Sequence, residues 1–388
     1  MIDTLNINTN DFEIDMSKNQ CSEYPLTAIR DYNLNPLEET NSNRFLMYDK
    51  NCNKIYGNGL TLARSAENLN GTLRNTGIIK VGKFGLANND DLYLSIQSSV
   101  PKFLTGKNFY LANCADIVRY KKELADTLND MGIYCNLDKM KVSRLDLTKN
   151  IETKYNFGTY TPVLKMCNAN KNFQSEINAS TYTTGTGKGK SNQICCYDKL
   201  EEISNNGELI PQGLENSNIF RCESKFLKHN TIYTKTGIQT FSDIQKNYFD
   251  LQEVYKNNVQ KNLFGNFDKD KLKDFQIWDF QSVLPKFIQE NETGKGKKSW
   301  VCNFIFALMA KYSQEPLKQL FDDVPFLLDC EKEYLLKQGK DLDTIKQYRS
   351  RHKKEFMKIL GDIFSMIENE FNVPYMRLLE ELQEKLCA

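Results

Sequence analysis

Histidine is nearly absent from this chain: there are two, His229 and His352, in 388 residues. That excludes a His-rich metal site. The eleven cysteines are odd in number, contain no C-x-x-C pair and place Cys195 beside Cys196. Such a pattern is neither a disulfide framework nor a zinc ribbon, and it fits a reducing compartment. Long hydrophobic runs are missing as well. The most apolar stretch, Trp300 to Ala310, is broken by Asn303 and is far too short to span a bilayer. No secretory signal is visible where Met1-Ile2-Asp3 leads into a polar, Asn-rich stretch, so the expectation is a cytoplasmic protein without a membrane partner. A complete P-loop is also lacking. That motif needs G-x-x-x-x-G-K-[ST] between a strand and a helix. Here Gly189-Lys190-Ser191 supplies only its end, Thr184 stands at the first glycine position, and a strand is expected to follow. The turn carrying Lys188 and Lys190 reads either as a basic turn touching DNA phosphates or as a plain hairpin loop.

What is present is an ordinary globular composition, 40% hydrophobic and 26% charged, with a net charge of +1. A near-neutral total says little about nucleic acid, because recognition needs a basic face and not a basic sum. The length predicts two domains. Residues 1–43 read as a polar, extended or loosely ordered lead-in. Alternating segments from residue 44 onward, including Phe45 to Tyr48, Ile78 to Val81 and Leu92 to Ile96, read as strands. Asp116 to Met131 has helical spacing, closed by Gly132. Strands are expected at Val142 to Leu147, Gln193 to Lys199 and Phe220 to Phe226, with Glu201 to Asn206 as a polar exit. The result is an α+β class: an antiparallel-sheet domain with covering helices over residues 44–265. An all-helical region over 266–388 follows it, with helices at Trp300 to Tyr312, Leu342 to Ile363 and Pro374 to Lys385.

Three short segments carry the chemistry. They are Arg144-Leu145-Asp146, Tyr197-Asp198-Lys199 and Arg221-Cys222-Glu223. In a strand, residues two apart share a face. Each segment thus presents a polar pair, and one sheet would gather two carboxylates, two guanidiniums, an ammonium and a phenol. Singly, Asp146 and Glu223 read as salt-bridge partners of the arginines two residues before them. Together they read as a pair able to hold a hard divalent cation, with Glu202 as a third carboxylate. Tyr197 is by default a packing tyrosine, and Lys199 beside it is what marks it as a candidate nucleophile. Further on, Lys346, Arg349, Arg351, His352, Lys353, Lys354 and Lys358 follow the turn at Gly339. They form either a solvated helix face or a DNA-contacting helix in a helix-turn-helix-like unit.

The order of these elements resembles the phage and plasmid replication proteins of the gene II/X type. Ser98 to Asn108, SSVPKFLTGKN, is similar to that family's S-x-P-K-x-x-x-G-x-N segment. A helix follows, then the R-x-D of Arg144 to Asp146, the Y-D-K-x-x-E of Tyr197 to Glu202 and the R-x-E of Arg221 to Glu223. The resemblance covers roughly residues 92–226. It implies a rolling-circle replication initiator acting in the cytoplasm of a bacterial host. Such a protein nicks one strand of a double-stranded origin at a single-stranded scissile segment, becomes joined to the DNA 5′ end and later religates it. By motif, Tyr197 is the implied nucleophile and Asp146 and Glu223 the implied ligands of Mg²⁺ or Mn²⁺, with Glu202 beside them. Lys199, Arg144 and Arg221 are implied to contact the scissile phosphate or to support the carboxylates, and Lys188, Lys190, Arg349, Arg351 and Lys353 are further DNA contacts. A host helicase and polymerase are the candidate protein partners. Many rolling-circle initiators use a histidine-hydrophobe-histidine metal motif; this chain lacks one, so its metal site must rest on carboxylates.

Other readings stand beside this one. A non-catalytic origin-binding or copy-control protein would keep the basic C-terminal block and need no metal. A tyrosine recombinase is faintly mimicked by Arg351-His352-Lys353 with Tyr375 downstream, but no arginine stands at the third position after His352. For a small-molecule enzyme, no cofactor motif speaks.

Overall fold

A computed structural model of the chain describes residues 1–15, 45–48, 54–57, 60–67, 73–83, 92–107, 109–130, 132–167, 174–178, 181–186, 190–265, 284, 288–289, 299–311, 314–366 and 375–388. Its strands are β1 (Ile2–Thr9), β2 (Phe12–Ile14), β3 (Phe45–Tyr48), β4 (Lys54–Gly57), β5 (Leu60–Glu67), β6 (Leu73–Lys83), β7 (Leu92–Ser99), β8 (Ile133–Cys135), β9 (Lys141–Glu152), β10 (Gln174–Asn178), β11 (Thr181–Thr186), β12 (Asn192–Asp198) and β13 (Ile219–Phe226). Its helices are α1 (Val100–Thr105), α2 (Cys114–Asp130), α3 (Phe157–Cys167), α4 (Lys199–Asn205), α5 (His229–Thr236), α6 (Phe241–Lys246), α7 (Leu251–Asn262), α8 (Trp300–Lys311), α9 (Gln314–Lys337), α10 (Leu342–Met366) and α11 (Tyr375–Cys387). The fold is α+β. One antiparallel sheet runs in the order β10-β11-β12-β13-β9-β1-β7-β6-β3-β4, with β5 on β6, while β2 and β8 pair apart.

Alternation explains how the sheet divides its two faces. Leu145 and Leu147 of β9 align with Ile194 and Cys196 of β12 and with Phe220, Cys222 and Phe226 of β13 on one buried face. Helices cover that face. In α2 the residues Ile117, Tyr120, Leu124 and Leu128 recur at helical spacing and are all buried. Helices α5, α7 and α11 pack against β9.

The expected polar lead-in differs from the structure at its start. Residues 2–9 are not a loose arm but β1, inserted between β9 and β7 with Ile2, Leu5 and Ile7 fully buried. The alternation was hidden because β1 is irregular. Its pairing with β9 shifts register between Ile2 and Leu5, where three steps in β1 match two in β9. A bulge of this kind carries an extra residue and re-aims its neighbours. Residues 16–43 of the lead-in lie outside the described residues.

Helices on both sides of residue 265 contribute to one continuous core, which includes Phe226, Tyr255, Phe264, Phe304, Phe356 and Leu382. The last helix, α11, is also fastened by polar contacts to α3 and to the segment after β9. Tyr160 Oη donates to Glu381 Oε2 at 2.6 Å, and the Lys154 amide donates to Glu381 Oε1 at 2.9 Å. Leu382 is fully buried on this helix. Leu382→Ala should therefore cost about 2–5 kcal/mol through lost contacts and a cavity. Urea unfolding followed by the signal of the sheet checks this, and an unchanged midpoint would mean that α11 is not part of that cooperative unit.

Helices α9 and α10 lie side by side as a long antiparallel hairpin, with Arg349 on Asp329 at 2.6 Å and His352 on Glu331 at 2.6 Å. The turn between them needs Gly339, whose φ of 74° is left-handed and lets the Lys340 amide reach back to Leu335 O. Asp341 then caps α10 by accepting from the Thr344 amide at 2.8 Å. His352 is buried. Arg351 Nη2 donates to its Nε2 and its Nδ1 donates to Glu331, which also accepts from Trp300 Nε1 at 2.9 Å. The histidine of the recombinase-like order thus serves the helical core. No helix among the described residues is long and apolar enough to cross a membrane.

Candidate active site

The second face of the sheet is polar over its central strands. Tyr197 of β12 stands opposite Arg221 of β13, and Arg221 stands opposite Asn150 of β9. In the neighbouring rows Glu223 faces Thr148 and Lys225 faces Asp146. The extra residue in β1 brings Asp3 to the same side, where its Oδ1 lies 2.8 Å from Arg221 Nη2. The three polar pairs expected from the sequence therefore do meet on adjacent strands.

One of them meets by a different route. Tyr197-Asp198-Lys199 is not a continuous strand, because Asp198 ends β12 and caps α4. Its side chain accepts from the amides of Leu200 at 2.9 Å and Glu201 at 3.0 Å, and Lys199 becomes the first helical residue. The polar exit expected at Glu201 to Asn206 is this helix. The helical turn still leaves Lys199 Nζ 6.0 Å from the Tyr197 ring centroid, with its ammonium on Glu202.

The charges are paired in detail. Tyr197 Oη donates to Glu223 Oε1 at 2.6 Å, and Arg221 Nε donates to the same oxygen at 3.0 Å. Lys225 Nζ holds the other oxygen, Oε2, at 2.8 Å. Arg144 grips Asp146 with two nitrogens, Nε at 3.0 Å from Oδ1 and Nη2 at 2.6 Å from Oδ2. Burial works to raise the Glu223 carboxyl, but Lys225 and Arg221 outweigh it and hold the acid at about 2. For Asp146 burial wins over Arg144 and Lys225, and its pKa is raised. Burial also pushes the Tyr197 phenol well above its ordinary value of 10, opposed by Arg221 and reinforced by Glu223. The Lys199 ammonium is lowered by burial first and by Arg221 second.

Residues 70–251 match the family model of the phage gene II replication-associated protein, N-terminal region. That match supports a phage replication initiator of the gene II family. The matched span contains every motif that carried the resemblance, from Ser98 to Glu223, and it runs from β6 into α7. Central strand β1, and with it Asp3, lies outside the match although it belongs to the same sheet as the matched strands. No curated protein matches the chain.

Within this polar cluster, sequence reasoning missed Lys225, Asp3, Thr148 and Asn150. A signal existed for three of them. Extending the two-residue step beyond Glu223 reaches Lys225, and extending it beyond Asp146 reaches Thr148 and Asn150. Asp3 had none, because the bulge breaks the step. The cluster opens at one end, where the side chains of Arg144 and Lys225 are 27% and 20% exposed, whereas Arg221 and Asp146 are buried. Other expected contacts lie elsewhere. Arg349 is occupied by Asp329, Arg351 lies over the Tyr348 ring at 4.8 Å, and Lys353 is exposed on α10. Lys190 is half-buried just before β12, and Lys188 lies outside the described residues.

The donor set can be tested against a hard cation. Among the described residues, no group of three His, Cys, Asp or Glu side chains is close enough to hold a metal, and Glu202 is taken up by Lys199 and Asn206. Two buried oxygens beside Asp146 and Glu223, Thr148 Oγ1 and Asn150 Oδ1, nevertheless have no hydrogen-bond partner. Two carboxylates flanked by unpaired neutral oxygens make an all-oxygen set, which suits Mg²⁺ or Mn²⁺ in chemistry.

Proposed function

We propose that this chain initiates rolling-circle replication by nicking one strand of an origin through Tyr197 and later resealing it. The observation that carries the reading is the Tyr197–Glu223 hydrogen bond, set on a buried sheet face among Arg221, Lys225, Arg144 and Lys199. A nucleophile bonded to a base that is itself oriented by a third group is the recurring layout of covalent catalysis. Tyr197 Oη forms a bond to phosphorus, the bond from phosphorus to the 3′ oxygen breaks, and the phenolic proton passes to Glu223 Oε1. Lys199, made a stronger acid by burial, protonates the departing 3′ oxygen. The DNA 5′ end is then held as a phosphotyrosine, which conserves the energy of the broken bond and lets the reverse step proceed without ATP.

In the free protein this proton transfer is opposed, since Glu223 is a weak base and Tyr197 a weak acid. An entering phosphodiester competes with Glu223 and Asp146 for the partly exposed Lys225 and Arg144. Drawing those cations toward the phosphate makes Glu223 more basic and stabilises charge on the phosphoryl oxygens. Arg221, fully buried between Asp3 and Glu223, keeps the carboxylate in place. A divalent cation, Mg²⁺ or Mn²⁺, would be held by Asp146 and Glu223 with Thr148 and Asn150 beside them. When bound, it polarises the scissile phosphate.

The exposed lysines of α10, Lys346, Lys353, Lys354 and Lys358, provide a sequence-independent grip on the duplex origin. A host helicase and polymerase belong to this reading because the freed 3′-OH primes synthesis. The competing reading, a DNA-binding protein without catalysis, draws on the same exposed lysines and on carboxylates that are already neutralised.

Supercoiled plasmid bearing the replicon's own origin, incubated with Mg²⁺ or with EDTA, separates the two. Open circles with protein attached to the 5′ end are expected only with Mg²⁺. Equal nicking in EDTA would remove the metal from the proposal, and no nicking on an authentic origin would leave the non-catalytic reading.

A further inference from the structure

At the Asn150 end the polar face is bordered by a small apolar cluster of Leu200, Ile203 and Ile219. Phe109 and Ile210 pack against it from two separate loops, and Lys102 of α1 reaches Glu208 of the second loop at 3.7 Å. In each loop the neighbouring residue is left outside: Tyr110 is 60% exposed and Leu209 is 63% exposed. Tyr110 is tied to the site through the backbone. Asn150 Nδ2 donates to Phe109 O at 2.7 Å, and Asn150 belongs to the row Tyr197, Arg221, Asn150. The Phe109 ring meets the Tyr110 ring edge-to-face, with centroids 5.5 Å apart and planes at 89°. That contact steadies an aromatic face that water would otherwise leave free to turn. The exposed Lys107 stands just before it in the chain.

We propose that Tyr110 is a stacking platform for an unpaired base next to the scissile phosphate. The inference rests on the nicking reading above and adds to it the form of the substrate. In a duplex each base is covered by its neighbours, so an exposed ring at the rim of the site has nothing to stack on. A single strand offers a free base face, and every base has one, so the contact is tolerant of sequence. The neighbouring Lys107 suits the backbone phosphate of the same strand. The strand would then cross the rim at Tyr110 and enter the polar face along the row toward Tyr197.

Binding of fluorescein-labelled oligothymidylate at fixed salt, followed by anisotropy, tests this. Tyr110→Ala should bind about tenfold more weakly than the wild type, and Tyr110→Phe, which keeps the ring, should stay within about twofold. A matching abasic strand keeps the phosphates and removes the bases, so the gap between wild type and Tyr110→Ala should close on it. Wild-type affinity in Tyr110→Ala overturns the proposal. So does a gap that persists on the abasic strand, because the ring would then be contacting the backbone. If the wild type nicks its origin while Tyr110→Ala binds oligothymidylate normally, only the stacking role falls. If the wild type neither binds single strands nor nicks, the nicking reading falls with it.

Discussion

Tyr197→Phe is expected to abolish the covalent protein–DNA adduct and to lower origin nicking by at least about a thousandfold, because no other group takes over the nucleophilic oxygen. The same change should cost little stability. It removes one hydrogen bond to Glu223, whose two oxygens remain held by Arg221 and Lys225. A loss of about 1 kcal/mol is the scale for such a bond. The substitution thus separates chemistry from folding, as few changes in this cluster can. End-labelled origin DNA, resolved on denaturing gels after incubation with wild type or variant, reads the adduct directly. An adduct of normal intensity from Tyr197→Phe would move the nucleophile to another tyrosine and leave Tyr197 as a support for Glu223.

Glu223→Gln should destabilise the fold by about 3–5 kcal/mol, the scale for breaking a buried ion pair from one side. Arg221 and Lys225 would each lose a carboxylate, and only Arg221 has Asp3 as a second partner. The pH dependence gives a separate signature. Glu223 is held at about 2 in the folded protein against an ordinary 4.5. A depressed acid contributes stability that is fully present above the unfolded value and lost as pH falls through the folded one. The window therefore runs from about pH 4.5 down to about pH 2, and the contribution is at most about 3 kcal/mol. Asp146 is raised and works in the opposite direction, gaining stability as it protonates. Wild type should accordingly lose stability across this window, and Glu223→Gln should lose less. Urea midpoints at a series of pH values measure the difference, and parallel curves for the two proteins would show that Glu223 is not the depressed acid.

The candidate site was legible in part for a simple geometric reason. The two-residue step of a strand is local, so Arg144 with Asp146 and Arg221 with Glu223 could be placed on one face before any pairing was known. The step said nothing about which strands are neighbours or in what register. The Tyr197–Glu223 bond is such a case, for Tyr197 stands opposite Arg221 and reaches Glu223 on the diagonal. Lys199 shows the opposite failure. Its proximity to Tyr197 was anticipated from a strand that stops at Asp198, and the contact survives because the capped helix turns the lysine back.

Sequence alone determined the α+β class, the strands around residues 144, 197 and 221, helix α2 and the existence of helices α8, α10 and α11, expected at 300–312, 342–363 and 374–385. It also determined the ordered motifs of the gene II family. These depend on periodicity and on short-range chemistry, both of which are written in consecutive residues. Only the tertiary structure decided that residues 2–9 form a central strand, that Asp3 completes the ionic cluster, and that α11 is fastened to α3 through Glu381. Each of these joins residues distant in sequence, and in β1 a bulge erased the alternation that would have marked it. The balance of charges in the cluster is likewise a tertiary property: burial raises both carboxyls, Lys225 and Arg221 outweigh it at Glu223, and at Asp146 burial prevails.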